Sequence, residues 1–152
     1  MNTEDIFTNM CNNLEMNEII NLELISKFHH NLIRKHHWNN FLITLTNNNY
    51  KYVIENYNFK NIDLSYTDIT DYYVKFLSNY HTLNLSHCKN ITDESIKFLG
   101  NCHTLDICFT NITDEGVKFL SNCGTLKINS TNITQECIDL LRFNNSKIII
   151  NR

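Results

Sequence analysis

The chain has 152 residues, 42% of them hydrophobic, with a formal net charge of -3 and a pI near 6.1. That hydrophobic content excludes a disordered chain, and the mildly acidic balance excludes a general nucleic-acid binder, which needs a basic face. No apolar run approaches the ~20 residues of a membrane-spanning helix, and the three glycines are too few for a phosphate-cradling loop.

The first residues, Met1-Asn2-Thr3-Glu4-Asp5, are acidic where a secretory signal would be basic and then apolar. A cytoplasmic or nuclear location is therefore expected, with the six cysteines as reduced thiols. Proline is absent, and Asn, Ile, Lys, Tyr and Phe are frequent, which follows the codon usage of an AT-rich genome.

Residues 1–45 read as three short helices. Ile6, Phe7, Met10 and Leu14 form one apolar stripe, Leu24, Ile25, Phe28 and Leu32 a second, and Trp38, Phe41, Leu42 and Leu45 a third. The one basic cluster, Lys27, Arg34 and Lys35 with His29, His30, His36 and His37, reads as a solvated helix face. Asn47-Asn48-Asn49 breaks the pattern, and residues 46–58 read as a connector.

From residue 59 to 152 the chain repeats itself in about four and a half units of 21–22 residues. Ile-Thr recurs at Ile69-Thr70, Ile91-Thr92, Ile112-Thr113 and Ile133-Thr134. Upstream of each lies an alternating pair, Ile62/Leu64, Leu83/Leu85, Leu105/Ile107 and Leu126/Ile128. Alternation puts both side chains of a pair on one face of a strand. Downstream lies an apolar triplet: Val74, Phe76, Leu77; Ile96, Phe98, Leu99; Val117, Phe119, Leu120; Ile138, Leu140, Leu141. Thr92 or Asp93, and Thr113 or Asp114, are placed to cap the following helix, and the acidic pairs suit its positive end. Gly100-Asn101, Asn122 and Asn144 are expected to end the helices. One such unit cannot bury its apolar face, but stacked units can. The fold class is therefore α/β: a helical N-terminal segment, then a short solenoid with parallel strands inside and helices outside.

The stretch Cys102-His-Thr-Leu105-Asp-Ile107-Cys-Phe-Thr-Asn-Ile112-Thr113-Asp114-Glu-Gly-Val117-Lys-Phe-Leu120 resembles the cysteine-containing leucine-rich repeat, as do its neighbours Tyr80–Asp93 and Cys123–Ile128. Thr67, Thr110 and Thr131 stand where Cys88 stands in its own unit. The order Glu4-Asp5-Ile6-Phe7, Leu14-Glu15, Ile19-Ile20-Asn-Leu22, Leu24-Ile25-Ser26-Lys27 and Trp38 resembles an F-box, without that motif's Leu-Pro start. Together these resemblances imply a substrate receptor of SCF-type cullin-RING ubiquitin ligases. Ile6, Phe7, Met10, Leu14 and Ile20 would dock a Skp-type adaptor, and the repeats would hold a substrate protein. The rival reading is a plain leucine-rich-repeat binding module whose helical start is only a cap on the first core layer.

Catalysis is not expected, nor is a metal or cofactor. His87/Cys88 and Cys102/His103/Cys108 lie close in sequence, but no zinc-type Cys-x-x-Cys or paired-His spacing occurs. Cys102 and Cys123 share one repeat phase, and Cys137 shares the small-residue phase of Ser95 and Gly116, so all three read as core cysteines. His81 and His103 also fall in phase and read as framework. The candidate ligand-binding residues lie on the inner, concave strand face. Asp63, Asn84, Asp106, Lys127 and Ile149 sit between core positions, Ser65, Ser86, Cys108 and Asn129 lie just beyond, and Tyr66, His87 and Phe109 form an aromatic row beside them. Finally, Ile148–Ile150 reads as a strand with a free edge, suited to self-association or strand addition by a partner.

Overall fold

The computed structural model describes Glu18 and residues 42–57, 59–129 and 131–152. The F-box-like helices, with Ile6, Phe7, Met10, Leu14 and Ile20, lie outside those residues.

Strand and helix alternate along the described chain: β1 (Leu42–Thr44), α1 (Tyr50–Asn56), β2 (Asn61–Asp63), α2 (Asp71–Val74), β3 (Thr82–Asn84), α3 (Asp93–Ile96), β4 (Thr104–Asp106), α4 (Asp114–Val117), β5 (Thr125–Lys127), α5 (Gln135–Asn144) and β6 (Ile149–Asn151). The strands form one parallel sheet of six in the order β1-β2-β3-β4-β5-β6. Leu83, Leu105 and Leu126 are register partners, so the aliphatic side chains stack in a column. Ile62, Leu64, Leu83, Leu85, Leu105, Ile107 and Leu126 are all fully buried in one continuous core. Below, repeats 1 to 4 begin at β2, β3, β4 and β5.

The sheet begins earlier than residue 59. Leu42 and Leu45, read from sequence as part of a third helical stripe, lie in and just after β1, which pairs with β2 through Leu42↔Asn61 and Thr44↔Asp63. Leu45 donates its N–H to the Asp63 carbonyl at 2.8 Å and is buried in phase with Leu64 and Leu85, while Leu42 faces out. The expected connector holds helix α1, with Tyr50, Val53 and Ile54 in the core. Asn47-Asn48-Asn49 is thus the turn between β1 and α1. A three-residue strand has too short a pattern to be told from a helix stripe until its neighbour's register is known.

The outer layer also differs from expectation. Each of α2, α3 and α4 is a single turn that tightens into a 3-10 turn, Lys75–Leu77, Lys97–Leu99 and Lys118–Leu120. Val74 and Leu77, and their equivalents, face the core. The middle members of the expected apolar triplets, Phe76, Phe98, Phe119 and Leu140, are exposed instead. Gly100 has an ordinary right-handed backbone (φ -58), so it does not terminate its turn by a left-handed cap. A Cβ there would stand 2.6 Å from the Phe119 carbonyl oxygen, so glycine is needed for close approach of the next turn.

Successive repeats are tied together at the helix starts. Thr92, Thr113 and Thr134 cap their helices by accepting backbone N–H groups. The acidic residue after each of Thr70, Thr92 and Thr113 bonds forward to the next repeat. Asp71 accepts from the Thr92 N–H and hydroxyl at 2.8 and 2.7 Å, Asp93 from Thr113 at 2.9 and 2.6 Å, and Asp114 from Thr134 at 2.8 and 2.7 Å. The small-residue phase of Ser95, Gly116 and Cys137 follows from this clamp: a Cβ on Gly116 would meet the Asp93 carboxylate at 2.4 Å.

At the far end the register shifts one expectation. Ile149 pairs with Thr125 and Asn151 with Lys127, so Asn151, not Ile149, continues the row that contains Lys127. The strand itself runs Ile149–Asn151 and not Ile148–Ile150.

Candidate functional site

Each strand presents two outward side chains on the inner face. One row runs Leu42, Asn61, Thr82, Thr104, Thr125 and Ile149, and the other Thr44, Asp63, Asn84, Asp106, Lys127 and Asn151. The second row contains four of the residues singled out from sequence. Three of them have a local task as well. Asp63 accepts the Ser65 N–H at 2.8 Å, Asn84 the Ser86 N–H at 3.0 Å and Asp106 the Cys108 N–H at 3.0 Å. These bonds hold the chain as it leaves the strand and leave a second side-chain atom of each residue facing outward. The other Asp106 oxygen pairs with the Lys127 ammonium at 3.4 Å. The central part of the inner face is therefore polar, with carboxylates at repeats 1 and 3, an amide at repeat 2, and a cation at repeat 4 that pairs with the Asp106 carboxylate.

Beyond this row the structure brings Tyr66, His87 and Phe109 together as a ladder. Tyr66 and His87 stack with ring centroids 4.2 Å apart and planes 11° apart, and His87 and Phe109 at 4.4 Å and 12°. All three have left-handed backbones, with φ of 61, 62 and 57°. Each is the third residue of a tight turn: Thr67 N–H bonds to the Leu64 carbonyl and Cys88 N–H to Leu85. A positive φ at that turn position is the ordinary place of glycine or asparagine, and a bulky side chain there costs about 1–2 kcal/mol. Stacking returns about 0.5–1.5 kcal/mol per pair. Three aromatic residues at three such positions are thus neutral or costly for folding.

The turns are braced from below. Tyr66, His87 and Phe109 each donate a backbone N–H to the next repeat, at 3.0, 2.9 and 2.8 Å, continuing the parallel ladder past the strands. The Thr67 and Thr110 hydroxyls donate to the carbonyls three residues back, both at 2.6 Å, whereas the Cys88 thiol donates across to Leu64 in the preceding repeat at 3.1 Å. That is the physical difference between threonine and cysteine in this slot. Lys89, the additional residue in the second repeat, bonds through its ammonium to the Phe109 carbonyl.

The opposite rim carries a second stack that sequence reasoning set aside as framework. His81 and His103 stack at 4.4 Å and 18°, with both side chains exposed. Their repeat phase was the available signal. Framework phase does not imply burial here, because both residues lie immediately before strands whose first residues face outward. The inner face is thus a polar strip flanked by two aromatic stacks, at one rim His81–His103 and at the other Tyr66–His87–Phe109. Tyr66 is 72% exposed at the open end of its ladder.

The cysteines present no reactive centre in this region. Burial pushes the thiols of Cys102 up to about 12 and of Cys123 to about 11, and it also raises Cys88. Cys108 lies closest to the inner face, and burial, aided by the Asp106 carboxylate, raises it to about 11. Among the described residues no group of three or more His, Cys, Asp or Glu side chains is placed to hold a metal ion. No helix among them is long and apolar enough to cross a membrane.

The family model of the leucine-rich repeat matches residues 81–100 and 103–121, the second and third repeats of the sheet. No curated protein matches the chain.

Proposed function

We propose that the chain is a non-catalytic adaptor that holds a protein ligand on its inner strand face, and that the segment preceding β1 is an F-box that docks a Skp-type adaptor of a cullin-RING ubiquitin ligase. Leucine-rich repeats are a protein-interaction architecture, and two are recognised here. The observation that carries the ligand-binding half is the stacked ladder Tyr66–His87–Phe109, held in a backbone conformation that folding alone does not favour. Exposed, rigid aromatic rings beside a polar strip are the composition of interface anchors. In this reading Tyr66, His87 and Phe109 supply the apolar contact, and Asp63, Asn84, Asp106 and Lys127 fix orientation and charge. The ligand carries a cationic side chain toward Asp63 in repeat 1.

The adaptor half rests on the sequence resemblance of Ile6, Phe7, Met10, Leu14 and Ile20 to the docking residues of an F-box. One observation favours the rival, that this segment only caps the solenoid: β1 begins at Leu42, directly after it, where a cap would be required. The two readings separate in one experiment. The full chain is incubated with a purified Skp-type adaptor. The F-box reading expects a stoichiometric complex that Ile6→Glu with Leu14→Glu abolishes and Tyr66→Ala with Lys127→Glu leaves intact. A folded chain that forms no complex leaves the capped binding module.

A further inference from the structure

The aromatic ladder has two ends, and they differ. Adjacent ring planes lie 11 and 12° apart, so His87 covers one face of Tyr66 and Phe109 covers the far face of His87. The end rings are unequally exposed, 72% at Tyr66 and 40% at Phe109. Asn47 follows Thr44 by three residues, as Tyr66 follows Asp63, and Thr44 and Asp63 are register partners. Asn47 thus holds the place of a further ring. Its side chain has another task, accepting the Asp68 N–H at 2.7 Å. The stack is therefore open at repeat 1, and a group that extends it must be flat.

The charges at each end select the kind of flat group. Asp63 accepts the Ser65 N–H at 2.8 Å, which sets its carboxylate beside the residue that precedes Tyr66. The other Asp63 oxygen has no cationic partner among the described residues, whereas Asp106 is already paired with Lys127 at 3.4 Å. Asp68, two residues past Tyr66, is engaged elsewhere: it takes the Tyr50 hydroxyl, and Lys51 lies over the Tyr50 ring at 5.6 Å. Lys60 precedes Asp63 by three residues, at the opposite rim. That is ~10 Å along an extended strand, a distance over which water and salt screen most of its effect. At the Phe109 end the balance is reversed. The Lys89 ammonium bonds to the Phe109 carbonyl, and Lys127 stands on the next strand. Lys147 and Arg152 flank β6 beyond it, with Arg152 on Gln135 at 3.4 Å. The open ring face at repeat 1 thus has an unpaired carboxylate beside it, and the other end of the ladder is cationic.

We infer that the protein ligand is anchored by one arginine, whose guanidinium stacks on the open face of Tyr66 as a fourth layer of the ladder and donates to the Asp63 carboxylate. This rests on the inner-face reading and specifies the side chain that reading calls for. A guanidinium is planar and permanently charged, lies flat on an aromatic face and keeps its N–H edges free for an acceptor. A ligand aromatic ring would cover Tyr66 and leave Asp63 unpaired. A lysine would pair with Asp63 and leave the ring face without a flat partner. Both halves of the site are set before the ligand arrives, Asp63 by the Ser65 N–H and Tyr66 by its tight turn and the His87 ring, so little ordering cost falls on binding.

The test titrates the capped amides of arginine, lysine and citrulline into the full chain at low salt and follows the Tyr66 ring by NMR. Citrulline keeps the flat end and loses the charge, and lysine keeps the charge and loses the flat end. The arginine amide should shift the Tyr66 ring saturably and bind at least about threefold more tightly than the other two. Asp63→Asn keeps an acceptor for the Ser65 N–H and removes the charge. Tyr66→Asn suits the left-handed backbone and removes the ring. Each should weaken arginine binding by at least about threefold, with the unfolding midpoint showing that the chain remains folded. Lys60→Gln should change it by less than about twofold. The inference is overturned if the arginine amide gives no saturable shift, if lysine or citrulline matches it, or if Asp63→Asn leaves it unchanged. Such a failure does not touch the inner-face reading, which is judged by the protein ligand and not by these probes. That reading falls if the protein ligand binds His87→Asn as tightly as the parent chain.

Discussion

The carboxylate of Asp93 holds Thr113 of the next repeat with both oxygens, one on the backbone N–H at 2.9 Å and the other on the hydroxyl at 2.6 Å. The same hydroxyl accepts the Glu115 N–H at 3.3 Å, so a single threonine caps its own helix while being clamped by the one before. Because Asp71–Thr92 and Asp114–Thr134 repeat this arrangement, the outer layers share a hydrogen-bonded spine that complements the column of strands. Replacing Asp93 with alanine removes both bonds and leaves the Thr113 N–H without that acceptor. A loss of about 1–3 kcal/mol is expected, read from urea unfolding. Asp93→Ala with Thr113→Val should cost less than the sum of the two single changes. Strict additivity would show that the clamp carries no coupling.

The same spine makes stability sensitive to acid. At Asp114 the Thr134 hydroxyl and N–H hold the carboxyl below its ordinary value of 3.8. At Asp71 burial alone would raise it, but bonds from Ser95 and Thr92 outweigh burial and lower it. A carboxylate with a depressed native pKa contributes stability above its unfolded pKa and loses it as pH falls through the native value. These contributions should be intact at pH 5 and above and should fade below about pH 4. In Asp71→Asn with Asp114→Asn the unfolding midpoint should depend less on pH over that acid range than in the parent chain. An unchanged acid slope would place the sensitivity elsewhere.

At the ladder, folding and binding make opposite demands on His87. Asparagine tolerates the left-handed backbone but removes both ring stacks, so His87→Asn should change stability by no more than about 1 kcal/mol in either direction. Binding of the protein ligand should fall much further, since the two remaining rings lose the one between them. Thermal melting together with a binding titration separates these effects. A large stability loss with unchanged affinity would mark the ladder as structural.

The contrast between adjacent residues on the outer turns is open to direct measurement. Leu99→Ala should cost about 2–5 kcal/mol, because it empties a fully enclosed site. Phe98→Ala, one residue earlier and exposed, should cost less than about 1 kcal/mol. Equal costs would place Phe98 in the core.

The thiols of Cys88, Cys102, Cys108, Cys123 and Cys137 are all buried, and burial leads the causes that raise each of them, to about 12 at Cys102 and about 11 at Cys137. In a Cys11→Ser background, alkylation at neutral pH should therefore proceed at the rate of unfolding, and a denaturant should release all five thiols together. Rapid native labelling of any one of them would reveal local opening of its repeat.

How much of this was legible depends on the length of the pattern. The 21- and 22-residue recurrence of Ile-Thr and Leu-x-Leu was enough to place Leu83, Leu105 and Leu126 in one column, because only stacking can bury them. The aromatic row was visible as a set of positions that vary while the framework stays constant. Its stacking and left-handed turns were not, because they arise from spacing between neighbouring strands. Where a pattern was short, it misled. Leu42–Leu45 has no meaning as a strand until β2 supplies its register, and the exposure of Phe98 beside the core positions Ile96 and Leu99 is seen only once the outer turn is in place.

By itself, then, the order of residues determined that this chain stacks, in which phase, and that the Leu-x-Leu positions fill the interior, since only stacking can bury them. Only the tertiary structure decided where the stack begins, which apolar rings remain outside it, and that Asp71, Asp93 and Asp114 bond to the next repeat and not merely within their own helices. Those outcomes depend on contacts between repeats some twenty residues apart, a distance over which local sequence has no say in geometry.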